Sequence, residues 1–405
     1  MRNGDNTLVV VPYNLFKYNH GNAVRVRHMI EEFQNNNLKV SLFMYDLPWI
    51  GNSRDYYYKV KPEIVLIAGL FKILFKFSFY DLLCATLGPI RFLKNKLEKA
   101  IEKEKIEILQ VENLWPLPPI ISSLKKGVPV VVTVHDVYSE RYSEIIDYVS
   151  RTPEFIAKRF LKKTVELEIE YLNKADAVVC LTEEDKQKYA SMGIDSQKLK
   201  VIPGGVDVNE IKPTKPDKTT MKKYGIKNED LVLFFIGSLM YQNKKAIDDI
   251  ASNILPRIQE KRKNVKMLIA GCISKYVRQK GYDKKLPIIP LGYVKDVNQY
   301  YAIADIVLIP TFLGTGFKTK TLEAMAAGKP IVCNYKSSRG IDVENWKNIV
   351  ICDDFDEMVE AILFLDQHKE VARKLGENAR ITAEKYDWRT VLRGYIELYE
   401  KLLLR

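Results

Sequence analysis

Short apolar runs alternate with longer amphipathic stretches twice along this chain. In the first half, residues 8–11, 40–45, 106–111, 130–134 and 177–181 are predominantly apolar. That is the pattern of strands covered on both faces, as in a parallel sheet. Between them, residues 24–35, 92–105 and 153–173 carry the helical period and a charged outer face. The second half repeats the scheme with predicted strands at 231–236, 265–270, 287–290, 306–309, 331–333 and 349–351. Two α/β domains follow, each a Rossmann-like, doubly wound parallel sheet. A turn-forming stretch, Pro203-Gly-Gly-Val-Asp207, and the Pro/Lys-rich segment 212–218 mark the boundary, so the domains are expected at 1–205 and 206–385. Residues 386–405 read as one more amphipathic helix.

One loop carries chemistry. Gly314 and Gly316 free the backbone for close approach to a ligand, and a helix is expected to start near Phe317 with its unpaired N–H groups turned toward that loop. Such an end attracts anions. Lys318 and Lys320 fall where the helix dipole favours acidic side chains, so basic residues there call for a negative partner such as phosphate. Further along the same helix, Glu323 is placed to accept hydrogen bonds from paired hydroxyls such as those of a ribose. The plain alternative is an ordinary loop and helix with solvated lysines.

Composition narrows the partners. The chain has 405 residues, a hydrophobic content of 47% and a net charge of +12, enough for two or three cores and a preference for acidic partners. Nucleic acid is the weakest of these, because no recognition motif accompanies the charge and much of it lies in runs at 94–105 and 212–227 that read as solvated faces. Within 64–90 the uncharged runs are far shorter than the ~20 residues a spanning helix needs. Residues 70–83, with Lys72 and Lys76 a turn apart on an apolar stretch, fit either a core helix or a peripheral membrane contact. Residues 1–7 run straight into a strand and have no signal-peptide character. Five scattered cysteines, at 84, 180, 272, 333 and 352, predict reduced core thiols, a cytoplasmic protein and no zinc site.

The second half resembles the retaining family-4 glycosyltransferases of GT-B fold. Their signature is a Glu, seven residues, then Glu-Ala-Met, a small residue and Gly-x-Pro; Glu323, Ala324, Met325, Gly328 and Pro330 fit it, while Thr315 stands where the first Glu belongs. After the strand at 231–236 the family often has Arg following Gly and Lys five residues later, and here Ser238 and Asn243 occupy those positions after Gly237. A subset of the family uses a Gly-x-Gly-x-basic-x-Lys loop instead, which Lys318 fits. The resemblance is strong over 200–334 and weaker before it.

It implies two facing domains, with the last helix crossing back to the first. It also implies a nucleotide diphosphate sugar as donor, held by Gly21, Gly237, Ser238, Lys244, Tyr293, Val294, Gly314, Thr315, Gly316, Phe317 and Lys320. Catalytic roles fall to Lys318, Glu323 and His135. Loops following apolar strands bring His20, Glu112 and Asp136 to the acceptor side. No Asp-x-Asp pair stands near the strand ends that carry these residues, so neither metal nor other cofactor is expected. The predicted reaction is transfer of a sugar to an acceptor hydroxyl with retained configuration, in glycan, polysaccharide or glycolipid assembly. A sugar-nucleotide epimerase and a non-catalytic nucleotide-sugar or glycan binder are the alternatives.

Overall fold

The structure is a computed structural model and describes residues 6–11, 15, 21–46, 56–59, 90–114, 127–149 and 153–404. His20, Trp115 and the 64–89 apolar stretch lie outside them. The chain forms two units, Met1–Pro203 with Thr315–Phe317 and Trp388–Arg405, and Gly204–Gly314 with Lys318–Asp387. The boundaries expected from the sequence are 205 and 385, with residues 315–317 in the second domain.

Unit 1 begins with β1 (Asn6–Val11), α1 (Gly21–Asn35), β2 (Lys39–Asp46), β3 (Tyr56–Lys59), α2 (Ile90–Glu104) and β4 (Ile108–Glu112). It continues with β5 (Val130–Val134), α3 (Tyr138–Val149), α4 (Glu154–Lys174), β6 (Ala177–Cys180), α5 (Glu183–Ser191) and β7 (Leu199–Val201). Unit 2 holds α6 (Lys218–Lys223), β8 (Leu231–Ile236), α7 (Tyr241–Asp249), α8 (Leu255–Lys261), β9 (Val265–Ala270), α9 (Ser274–Lys280) and β10 (Ile288–Gly292). There follow α10 (Asn298–Ile303), β11 (Ile306–Ile309), α11 (Thr319–Ala326), β12 (Ile331–Cys333), β13 (Val350–Ile351), α12 (Phe355–Gln367) and α13 (Lys369–Glu384). The final helix, α14 (Trp388–Leu403), belongs to unit 1.

Every pairing is parallel, in the orders β3-β2-β1-β4-β5-β6-β7 and β10-β9-β8-β11-β12-β13. Two strands escaped the sequence reading, β3 and β7. Both lie at sheet edges, and β7 is three residues long with an exposed lysine, Lys200, at its centre, so neither shows the two-sided apolar run of a central strand.

The alternation along the central strands explains the two-sided burial. Leu8, Val10, Leu109, Val111, Val132 and Val134 pack on one face with Leu97 of α2, Tyr138 and Tyr142 of α3 and Leu172 of α4. Val9, Val11, Ile108, Val131 and Val179 pack on the other with Val26, Met29 and Phe33 of α1 and with Leu392, Tyr395 and Tyr399 of α14. Successive side chains point to opposite faces, so each strand feeds both cores. In this way α14 covers sheet that α1 alone leaves bare.

In unit 2 the Arg380 guanidinium of α13 donates to the carbonyls of Val208, Ile211 and Ala326, tying the segment after the boundary to the end of α11. Beside it, Gly376 sits in the middle of α13 where a Cβ would overlap the Gly328 carbonyl oxygen. Ala usually stabilises a helix interior relative to Gly. Gly376→Ala is expected to do the opposite, destabilising unit 2 by about 1–3 kcal/mol as an overpacked contact; denaturant titration checks the sign.

Cys180, Cys333 and Cys352 are buried as expected, but Cys272 is exposed, following β9 on the surface. Burial pushes the Cys352 thiol up to about 12. Among the described residues no helix is long and apolar enough to cross a membrane.

Candidate active site

In both sheets the strand order reverses between two neighbours, β1 and β4 in unit 1 and β8 and β11 in unit 2. Loops at the carboxyl ends beside such a reversal form the natural ligand-binding crevice of an open sheet. The segments after β1, β8 and β11 carry Gly21, Gly237, Ser238, Lys244 and residues 314–320, while His135 and Asp136 follow β5 and Tyr293 and Val294 follow β10.

In unit 2 the loops after β8, β9 and β10 are knitted together. Gly237 N–H donates to the Ala270 carbonyl at 3.1 Å, Gly271 N–H to the Gly292 carbonyl at 2.7 Å, and Ile273 N–H to the Gly237 carbonyl at 3.2 Å. At Gly271 (φ +87°) a Cβ would overlap the Gly237 carbonyl oxygen. Beyond them, Tyr293 stands 77% exposed and Val294 is half-buried. Ser238 is exposed, and the Lys244 ammonium lies 5.6 Å over the ring of Tyr276.

The glycine-lysine loop differs from expectation in one respect. Gly314 (φ +100°) and Gly316 (φ +70°) are both left-handed, and Lys318 (φ −100°, ψ 73°) is still outside the helix, which begins at Thr319 rather than near Phe317. Lys318 is therefore the N-cap residue, and Lys320 alone of the two lysines lies in the first turn. The Lys318 ammonium donates to the Gly314 carbonyl at 2.9 Å. Lys320 reaches back to the Asn243 side-chain oxygen and rests 4.5 Å over the Phe235 ring. The other end of the Asn243 amide donates to the Ser238 carbonyl at 2.9 Å. Asn243 thus links the loop after β8 to the start of α11.

Burial, with the charge of Lys318, pushes the Lys320 ammonium down to about 7, partly countered by Glu323. Burial likewise pushes Glu323 up to about 7 against the pull of Lys320, with Glu210 adding to the rise. Nearby, the buried Tyr301 hydroxyl has no hydrogen-bond partner among the described residues, and its pKa is raised by burial and by the Glu323 charge. A cleft of about 590 Å³ lies elsewhere, at the amino ends of β11 and β12, lined by Pro213, Ile306, Pro330 and Ile381. Of its cations, Lys369, Arg373 and Arg380 are paired with acids and Lys329 donates to the Ala302 and Ala304 carbonyls, and it lies at the opposite ends of the strands from the glycine-lysine loop.

In unit 1, Gly21 is the first residue of α1 and is exposed. His135 and Asp136 follow β5 directly. The start of α3 behind them is fixed by the buried Glu168 carboxylate, which accepts from the N–H groups of Tyr138 and Ser139 at 2.8 and 3.1 Å. Asp136 accepts from Thr315 Oγ1 at 2.8 Å and from Arg141 at 3.3 Å. Gly316, grouped with unit 1, packs so closely that a Cβ there would lie 2.5 Å from the His135 carbonyl oxygen.

Glu112 is not where an acceptor-contacting residue should be. It has no exposed surface, and its two carboxylate oxygens are 2.8 Å from His135 Nε2 and 2.9 Å from Gln110 Nε2. Sequence reading also passed over Gln110 and Thr133, although a polar side chain in the middle of an apolar strand was a visible signal. Among the described residues no cluster of three or more His, Cys, Asp or Glu could hold a metal ion.

Comparison with known proteins supplies the class. Residues 20–210 match the Glycosyltransferase Family 4 profile, and residues 230–368 match Glycosyl transferases group 1. An alpha-monoglucosyldiacylglycerol synthase of Acholeplasma laidlawii is 24% identical over 329 residues, 78% of this chain and 80% of its own. A UDP-Gal:alpha-D-GlcNAc-diphosphoundecaprenol alpha-1,3-galactosyltransferase of Escherichia coli is 25% identical over 327 residues, 75% of this chain and 77% of its own. Among solved structures, Anabaena HepE, in complex with UDP and glucose, superposes with a TM-score of 0.68 at 17% identity, covering 98% of this chain and 100% of that one. The chain belongs to the family-4 glycosyltransferases of GT-B fold.

Proposed function

We propose that the protein transfers a hexosyl group from a nucleoside diphosphate sugar to an acceptor hydroxyl with retention of anomeric configuration. The observation that carries this reading is the start of α11, where two lysines and a half-buried carboxyl with no protein hydrogen-bond partner among the described residues meet a left-handed glycine loop. Lys318, Lys320 and the first-turn N–H groups would neutralise the diphosphate as it leaves. Glu323 would accept from the ribose hydroxyls. Ser238, Lys244, Tyr293, Val294, Thr315 and Phe317 complete the donor side in this reading, with Gly21 at the phosphates.

His135 would contact the transferred sugar, and His20 and Asp136 the acceptor. Attack on the face the diphosphate leaves accounts for retention without a carboxylate nucleophile. The E. coli and Acholeplasma relatives are named for acceptors built on lipid, which favours a lipid-linked or glycan acceptor and, with the basic net charge, work at an anionic membrane face. Because the two lysines carry the positive charge, no metal cofactor is needed.

Calorimetric titration with UDP, GDP, ADP and their sugar conjugates, with and without chelator, is the test. One diphosphate should bind specifically in both conditions, and Glu323→Ala should weaken it about tenfold or more, the value of a hydrogen bond to a charged group. Failure of every nucleotide to bind would leave a non-catalytic glycan binder as the better reading.

A further inference from the structure

The carboxyl ends of β4 and β5 carry a buried polar chain whose proton directions can be worked out from its two ends. Arg25 of α1 can only donate, and its Nη2 donates to the Tyr395 hydroxyl at 2.6 Å. Tyr395 OH lies 2.7 Å from Thr133 Oγ1, and because its oxygen already accepts from Arg25, its proton is available to Thr133. Gln110 Nε2 donates to Thr133 Oγ1 at 2.8 Å and to Glu112 Oε1 at 2.9 Å. The Tyr399 hydroxyl donates to Gln110 Oε1 at 2.7 Å, which locks the amide with its nitrogen toward Glu112. The links that reach Glu112 itself, Tyr399 to Gln110 and Gln110 to Glu112, therefore run in one sense.

At the far end, Glu112 Oε2 meets His135 Nε2 at 2.8 Å, both side chains buried. Burial alone would raise Glu112, but the hydrogen bonds from His135 and Gln110 and the charge of Arg25 outweigh it and hold the carboxyl below its ordinary value. An ionised carboxylate accepts and cannot donate, so Nε2 must carry the proton. Among the described residues His135 Nδ1 has no hydrogen-bond partner.

We infer that Glu112 is a positioning residue: with Gln110 and the α14 tyrosines behind it, it fixes His135 as the Nε2–H tautomer and leaves Nδ1 to accept a hydrogen bond from a substrate hydroxyl. This rests on the reading of His135 as a sugar-contacting residue. It assigns to Glu112 a role through the imidazole in place of direct acceptor contact. It also gives the last helix of the chain a part in the chemistry, through Tyr399 and Gln110.

The chain has four histidines, few enough for ¹⁵N NMR of selectively labelled protein, with His135→Gln to assign the signal. In the wild type, the neutral His135 ring should show a protonated Nε2 and an unprotonated Nδ1. Glu112→Gln, whose amide can donate as well as accept, should populate the other tautomer and lower nucleoside diphosphate release from the bound donor sugar about 100-fold. Affinity for the free nucleotide should stay within about threefold, since a merely structural defect would move both. Tyr399→Phe, which frees the Gln110 amide, should shift the tautomer in the same direction by less.

An Nδ1–H ring in the wild type would overturn the inference even if Glu112→Gln fails to fold, and so would a folded Glu112→Gln that keeps the wild-type tautomer or turnover. Failure of the wild type to bind any nucleotide would instead count against the proposed function, and the NMR result would still decide the Glu112–His135 pair.

Discussion

Lys318→Ala should lower turnover about 100- to 1000-fold, the loss seen when one preorganised group facing a developing charge is removed. Lys318 stands just before α11, and its ammonium rests on the Gly314 carbonyl, one residue before the tight Thr315–Phe317 turn. Its ammonium is held by the loop it would serve, so little reorganisation is needed when a diphosphate arrives. A second effect distinguishes it from a folding defect. Lys318 is one of the two influences that hold the Lys320 pKa down, so in the variant Lys320 should keep its proton to higher pH. Nucleotide affinity should accordingly fall less than turnover, and should depend less on salt than in the wild type. Steady-state release of nucleoside diphosphate, beside calorimetry at two ionic strengths, checks both; full turnover in Lys318→Ala would remove the charge assignment.

Glu323→Gln should stabilise the unliganded protein while weakening nucleotide binding at least tenfold. The folded carboxyl titrates near 7, against 4.5 as its ordinary value. Between those values the folded state binds more protons than the unfolded one, so this group makes stability fall as pH rises, with the full penalty present above about 7. Gln removes the penalty. For a half-buried group the gain is about 1–2 kcal/mol after allowance for solvent screening, and it should vanish below about pH 4.5. Lys320 acts in the opposite window: its folded value near 7 lies below the ordinary 10.5, so its contribution improves as pH rises from 7 toward 10.5. Thermal melts of wild type and variant across pH 4 to 10 follow both signs. Equal melting of the two proteins at pH 8 would show that Glu323 is not strained by burial, and the ribose role would lose its physical basis.

Much of this was legible because parallel strands announce themselves. Runs such as Val130–Val134 are apolar at every position but one, and the exception, Thr133, belongs to the chain that ends on His135. The glycine-lysine loop was legible for a similar reason, since left-handed turns and misplaced cations are read from residue type alone. The sequence was silent on long-range pairing. Arg25, Gln110, Thr133 and Tyr395 lie up to 370 positions apart, and nothing in their spacing reports that they meet. Glu112 was misread for the same reason: position after a strand suggested an open loop, and only the fold shows α1 and α14 closing over that face. The start of α11 was misjudged by two residues because Gly316 and Lys318 hold the backbone out of the helical region.

The membership of α14 in unit 1 has a consequence for biosynthesis. Leu392, Tyr395, Leu398 and Tyr399 help form a core whose other members lie at the beginning of the chain, among them Val9, Val26 and Phe33. A ribosome emits those early residues first, yet the surface that covers them emerges last, after all of unit 2. Until then nascent unit 1 keeps exposed the part of that sheet face that α1 leaves bare, the condition that invites chaperone capture.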